Sequence, residues 1–456
     1  LHFAEGIHGD ILTDLSSIKN LHVISRTSVR HYQKSQKGAT EIGKELNVAW
    51  LLEGEVQQVA KEIRTNIRLI NASTDSQVWS EVYQHKLTAQ NIFLIQDEVT
   101  RDILETLKIQ LSPKEKSRSI QNPTLDLDAY RFYTLGRTSL DLRTEAGIYR
   151  GFDFFHPSIE IDPDYALAWA GLADALSLLK YYALSIPKNA LTPLEAASKA
   201  VALDPGLGET HNSLGIAYSG VQNGPAALKE LELAIKLTPS YAEAYIWFGW
   251  VYIMVGKPHL GLEVGEKAVR LNPLSSAFRI FLAIIYLSNQ KYYKALEEAQ
   301  RAREINPEYG LTNFVEGLAL SHLNQLEDAF SAFKRTLPLI SQMGTPCKAE
   351  VQIAIKICNK ALGGGEEDKD LKEEIYERIN PFSFAMLYAL EGELTAAFRT
   401  FERVQDWGSF SNEQIRYCFP QILSALRKDV RYSDLIAKVN SAWGMNSNGD
   451  IKPRVG

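Results

Sequence analysis

Cysteine is scarce: Cys347, Cys358 and Cys418 are the only three in 456 residues, and none sits in a Cys-x-x-Cys pair. An odd, scattered set supplies neither a disulfide framework nor a zinc site. It fits a reducing compartment, so the cytoplasm is favoured slightly over the periplasm or the exterior, with the compartment otherwise unassigned. No apolar run approaches the ~20 residues that a spanning helix needs. A basic excess is missing too: a net charge of −6 gives no reason to expect nucleic acid or an anionic membrane as partner. The basic cluster Lys114, Lys116 and Arg118 is read as a solvated face. Neither a signal peptide nor an initiator methionine precedes Leu1. The sequence is therefore expected to be a fragment or processed product, which leaves room for an anchor or enzymatic domain upstream.

Catalytic motifs are absent as well. There is no GxxxxGK[ST], HExxH, GxSxG or DFG pattern. The stretch GLGETHNSLG at 206–215 begins like a dinucleotide fingerprint, but His211 replaces the third glycine and the segment opens a helix rather than following a strand. The histidines are scattered, with no pair at ligand spacing beside a carboxylate. Asp10 with Asp14, and Asp97 with Glu98, are acidic pairs on helices, better explained as solvated faces or caps than as an acid–base dyad. No enzymatic activity, cofactor or metal is expected.

What is present is a repeat. Prolines at 205, 239, 273 and 307 follow apolar helices at intervals of 34, with Pro163 an earlier member. Small residues recur in register: Gly215, Ala227 and Ala234; Gly249, Gly261 and Ala268; Ala283, Ala295 and Ala302, with Tyr218, Tyr252 and Tyr286 between them. Small side chains let two helices cross closely, and proline ends the second helix because it cannot extend the hydrogen-bond ladder. The copy at 164–205 carries an insertion around 181–193, expected as an ordered loop at the tip between its helices. Looser copies lie at 126–163, where Pro157 should kink the second helix, at 308–341 and near 378–405. Residues 363–370 break the array as a glycine-rich, acidic loop. Over 126–435 the sequence resembles the tetratricopeptide repeat (TPR) family, which implies an all-α superhelix (α-solenoid).

Residues 1–120 read differently. A helical stripe over 6–18 is followed by a short β-rich run at 21–25, a helix at 39–46, strands at 48–59, 63–70 and 77–83, and an amphipathic helix at 92–111. Ile63, Thr65, Ile67 and Leu69 alternate with Arg64, Asn66 and Arg68, the period of a half-buried strand. The segments FAEGIHGDILTDLSSIKNLHVISRTSV, EIGKELNVAWLLEGEVQ, IRTNIRLI, QVWSEVY and IFLIQDEVT resemble, in order, the TolB N-terminal-like module. That resemblance implies an α+β domain without catalytic residues. Such modules often precede TPRs in bacterial multidomain regulators, downstream of a cyclase, a kinase or a winged-helix domain. The family's opening apolar strand is not found before Leu1, so the sheet is expected to lack an edge strand. The expected divisions are 1–120 for this module, 121–345 for the TPR array, and 346–456 for degenerate TPR-like helices and a cap.

In TPR arrays the first helix of each repeat lines a concave groove. With Glu209 at position 2, the inward positions include Asn212, Ile246, Trp250, Ile253, Ile280, Ile284, Phe314 and Leu318. The groove should be apolar and aromatic in its middle, and it lacks the Lys/Asn pattern of arrays that clamp a C-terminal carboxylate. The function expected is a non-catalytic scaffold that binds a protein or peptide partner, or a second copy of itself. The alternative is the sensory or regulatory portion of a larger cyclase, kinase or transcription regulator. Ile280, Ile284 and Phe314 could equally be packing between helices, whereas Trp250 is the sharper candidate for contact surface. An open apolar patch is unusual on a monomer, so a partner or the C-terminal segment 411–443 is expected to cover it. Trp250→Ala should cost about 2 kcal/mol or more of partner binding if the residue is an interface anchor. If it is internal core, the melting temperature should fall instead.

Overall fold

The computed structural model describes residues 2–33, 35–112, 123–182, 184–342, 345–363, 385, 388–389, 392–402 and 426–443. The N-terminal unit runs α1 (His2–Ser16), α2 (Arg26–Val29) with a 3-10 turn at Arg30–Tyr32, and α3 (Ala39–Leu46). Strands β1 (Trp50–Val59), β2 (Glu62–Asn71) and β3 (Ser76–Lys86) follow, then α4 (Ala89–Thr106). The strands form one antiparallel sheet in the order β1-β2-β3. Alternation decides its faces: Ile63, Thr65, Ile67 and Leu69 are buried on β2. Ile63 and Ile67 pack, with Tyr83 of β3, into one core with Ile7, Ile11 and Leu15 of α1 and Ile92, Ile95 and Val99 of α4. Thr88 starts α4 by accepting the Asn91 amide on its side chain. The run at 21–25, expected to be β-rich, joins no strand. Its polar backbone groups find partners on the turns of the helical array instead, as when the Ser25 amide donates to the Leu271 carbonyl at 2.7 Å.

The array is a series of paired helices. These are α5 (Leu127–Leu140) with α6 (Glu145–Ile161), α7 (Ala166–Tyr181) with α8 (Pro193–Leu203), and α9 (Gly208–Gly220) with α10 (Gly224–Leu237). Next come α11 (Ala242–Met254) with α12 (Pro258–Leu271), α13 (Ser276–Ser288) with α14 (Tyr292–Ile305), and α15 (Leu311–His322) with α16 (Leu326–Thr336). Beyond them lie α17 (Thr345–Ala361), α18 (Leu394–Glu402) and α19 (Tyr432–Ala442). The architecture is thus an α+β unit followed by a TPR-type solenoid. Of the copy expected near 378–405, Ala397 and Phe401 are buried. The loop at 364–370 and the basic cluster at 114–118 lie outside the described residues.

Two devices fix the repeat. After Pro163, Pro205, Pro239 and Pro273, the side chain six residues on reaches back to the prolyl carbonyl: Trp169 at 2.8 Å, His211 at 3.0 Å, Tyr245 at 2.9 Å and Arg279 at 2.9 Å. Each bond satisfies a carbonyl left over at a helix end. In the third to sixth repeats the turn is made by one left-handed residue: Gln222, Gly256, Gln290 and Asn324, with φ of 60°, 73°, 58° and 60°. They stand 34 apart, the same period as the prolines.

Close crossings demand the small residues. The Phe155 ring lies between Gly136 and Gly171, where a Cβ would come within 2.6 Å and 2.3 Å of it, and Phe333 sits at 2.5 Å from a Cβ on Gly317. Helix α6 runs unbroken through Pro157. The insertion in the second repeat is a tip loop, as expected: α7 stops at Tyr181, and α8 begins behind a Thr192–Glu195 capping box. Gly171→Ala should lower stability by about 1–3 kcal/mol through overpacking against Phe155, read as a shift in urea midpoint at unchanged slope.

Candidate functional site: the concave face

The first helices of the repeats turn their inner faces toward one another, and the solenoid closes on itself across the groove. Arg143, in the turn of the first repeat, pairs with Glu243 of the fourth at 2.7 Å. Tyr181, at the end of α7, meets Trp247, Trp250 and Phe281 with ring centroids 5.7, 5.9 and 5.9 Å away. Trp250 and Phe281 pack edge to face at 5.2 Å. The Tyr182 and Tyr309 hydroxyls approach to 3.5 Å. A space of about 10 Å3 remains between Arg143, Tyr181, Tyr182, Glu243, Trp247 and Phe281.

This arrangement places each residue expected to line the groove. Ile246, Ile253, Ile280 and Leu318 are buried in the array's hydrophobic core, and Asn212 is buried as well. Trp250, Ile284 and Phe314 are partly buried against that core. Trp250 does face inward, but its cover is Tyr181. The expected C-terminal cover is placed elsewhere where it is described: Trp443, after α19, packs against Gly224 and faces the turn edge of the solenoid. Residues 411–425 lie outside the described residues.

At its N-terminal end the concave face is charged and is covered by α1 and α2. A cavity of about 110 Å3 lies there, with Asp10, Arg26, Arg137, Asp174, Glu209 and Glu243 in its wall. Arg26 pairs with Asp141, which Arg30 also approaches at 3.5 Å, and Arg137 pairs with Asp174 at 2.7 Å. Asp174 also accepts from the Ser213 hydroxyl at 2.6 Å. Asp10 accepts from the Tyr130 hydroxyl at 2.6 Å and from Gln96 at 2.9 Å. Burial raises its carboxyl to about 6 despite those bonds. Asp14 is pushed well above the carboxylate range by burial and then by Asp10, Asp97 and Glu209. Asp10 therefore does not form the solvated face or cap expected of it but lines the cavity between unit and solenoid, while Asp14, one turn on, is half-buried. Glu98 bonds His85 at 3.2 Å.

His211, which spoils the glycine fingerprint, is structural: its ring nitrogens meet Glu230 at 2.6 Å and the Pro205 carbonyl. Among the described residues no group of three or more His, Cys, Asp or Glu side chains is placed to hold a metal, and no helix is long and apolar enough to cross a membrane. Tyr130, Arg137, Asp141 and Asp174 escaped the sequence reading. Counting inward positions back into the irregular first two repeats would have found Tyr130, Arg137 and Asp174.

No family model matches this chain. A curated protein, "Putative adenylate cyclase 3" of Rhizobium meliloti (strain 1021), is 31% identical over 220 residues. The match takes in 48% of this chain and 37% of that protein, so the chain spans well under half of its curated relative. Among solved structures, the Cut9-Hcn1 hetero-tetramer of the APC/C is 14% identical over 77% of this chain and 63% of that chain, with a TM-score of 0.49. YrrB, described as a TPR protein with an unusual peptide-binding site, is 18% identical over 44% of this chain and 97% of that chain, at a TM-score of 0.32. A thermophilic TPR protein of Thermus thermophilus is 21% identical over 41% and 98%, at 0.35.

Two measurements test the site. Trp250→Ala removes a half-buried indole from an internal cluster and should cost about 2–3 kcal/mol of unfolding free energy, seen as a lower urea midpoint. The second concerns Asp10. Its folded-state carboxyl titrates near 6 rather than at the ordinary value of 3.8, so its stabilising contribution is complete below about 4 and is lost as pH rises through 6. His8, held down at about 4 by burial and then by Arg26, works in the opposite direction, losing stability as pH falls from 6.5 through 4. The stability of Asp10→Asn relative to the wild type should therefore rise between pH 4 and 7, while His8 cancels in the comparison. A difference that stays flat or falls would contradict the buried carboxyl.

Proposed function

We propose that this chain is a non-catalytic, protein-binding regulatory region that works beside a nucleotide-cyclase-type catalytic domain. The observation that carries this reading is the 220-residue likeness to a "Putative adenylate cyclase 3", where the match takes up 37% of that protein. The sequence supplies no nucleotide-binding or metal-binding motif of its own. Its solenoid belongs to a class of architecture that offers extended surfaces to proteins, and its N-terminal unit resembles a module found in bacterial regulators. Partners would be a protein or peptide segment, or a second copy of the chain, received on the inner face or its edges.

A free-standing scaffold with an open apolar groove is the weaker reading. Tyr181 and the Arg143–Glu243 pair bridge that groove and leave a ligand little open apolar surface. The test uses the Rhizobium relative. The purified chain should form no cyclic AMP from MgATP. Replacing the matched 220 residues of the relative by those of this chain should keep its cyclase activity, whereas deleting them should change the rate or the assembly state. Turnover by the chain alone, or a deletion without effect on either property, would overturn the proposal.

A further inference from the structure

The segment joining α1 to α2 lies along the outer turns of the solenoid and bonds to two of them at equivalent places. Ser240 and Leu274 stand 34 apart, each directly after a repeat-closing proline. Both amides are free of the helical ladder, and both are taken by the N-terminal segment: Ser240 donates to the Ser16 carbonyl at 3.1 Å, and Leu274 to the Ser28 hydroxyl at 2.9 Å. Between these points the bonding is continuous. The Ser240 hydroxyl donates to the Leu21 carbonyl at 2.8 Å and accepts from the Val23 amide at 3.4 Å. Ser25 donates to the Leu271 carbonyl at 2.7 Å, and the Thr27 and Ser28 hydroxyls donate to the buried Asn272 at 2.8 and 2.6 Å. The Lys267 ammonium reaches His22 Nδ1 at 3.1 Å.

The bonds that run along this seam are polar, whereas the same unit meets the first repeat through an apolar core. There Tyr130 of α5 is fully buried in the unit's own core, edge to face with Phe93 at 5.3 Å. The unit and α5 thus form one apolar body. Within residues 16–28 Ile18 is buried and Arg26 pairs with Asp141, while the bonds from this segment to the turns at 238–240 and 271–274 are polar. Contacts of this kind, which water can replace, open at lower cost than an apolar core. Opening here would also draw apart the two sides bridged by Arg143 and Glu243, and by Tyr181 and Trp250.

We infer that residues 16–28 are a releasable latch: closed, they fix the curvature of the solenoid and keep its inner face shut; released, they let the groove open to a partner. The latch deepens the protein-binding reading, since it supplies the step by which a self-filled groove becomes accessible. The experiment needs no partner, so it tests the latch whether or not that reading holds. In Ser28→Ala/Ser240→Ala, amide hydrogen exchange at Val23, Ser25 and Leu274 should quicken by about tenfold or more, and the radius of gyration from solution scattering should grow. Exchange within α13 and the far-UV circular dichroism should stay as in the wild type. The single variant Ser28→Ala, milder in its effect on folding, should quicken Leu274 first. Unchanged exchange at all three amides would overturn the latch. So would a parallel rise in α13, because seam and solenoid would then open only as one cooperative unit.

Discussion

The carbonyl of each repeat-closing proline is the constraint on which the solenoid depends. A helix that stops at proline leaves acceptors with no ladder to join, at the place where the next helix must begin. At Pro163, Pro205, Pro239 and Pro273 one side chain from the following helix meets that acceptor, and it is in turn a tryptophan, a histidine, a tyrosine and an arginine. The chemistry varies while the geometry holds, since the requirement is only an N–H or O–H at the end of a long side chain. With the angle between repeats set in this way, glycine and alanine at the crossings allow the approach, and Phe155 and Phe333 fill what remains.

The repeating half of the fold was legible because its signals are periodic. Proline spacing, small residues in register and the position of the insertion followed from the sequence. The strands followed from alternation, with ends displaced by no more than three residues. Less legible was whatever depends on a pairing distant in the chain. Residues 21–25 look β-forming in isolation, yet their partners are Ser240 and Leu271, and no local pattern announces that. Asp10 and Asp14 occupy a helix face that would be solvated if α1 stood alone; the solenoid supplies Tyr130 and Glu209 against it. The left-handed residues at the turns are mostly glutamine or asparagine rather than glycine, so composition gave no hint of them.

The groove shows how far a positional rule carries. Counting along the repeat put Trp250 at an inward position, and it packs there against Tyr181 and Phe281. It could not say how tightly the superhelix would coil, and therefore missed that the opposite wall would come near enough for Tyr181 to lie against it. An apolar inner face can be an invitation to a partner or a core in its own right, and curvature decides between them. Here the inner face is closed by residues far apart in the chain, Tyr181 against Trp250 and Arg143 against Glu243.

Tyr130 belongs to the first helix of the array by sequence and to the core of the preceding unit by contact. A unit cut at residue 120 would leave Phe93 without its ring partner and Asp10 and Gln96 without the hydroxyl they share. The piece that could be exchanged intact between proteins therefore ends beyond α5 rather than before it. Recombination at the apparent domain border would separate residues that fold together, and lineages carrying this unit should inherit it with the first helix attached.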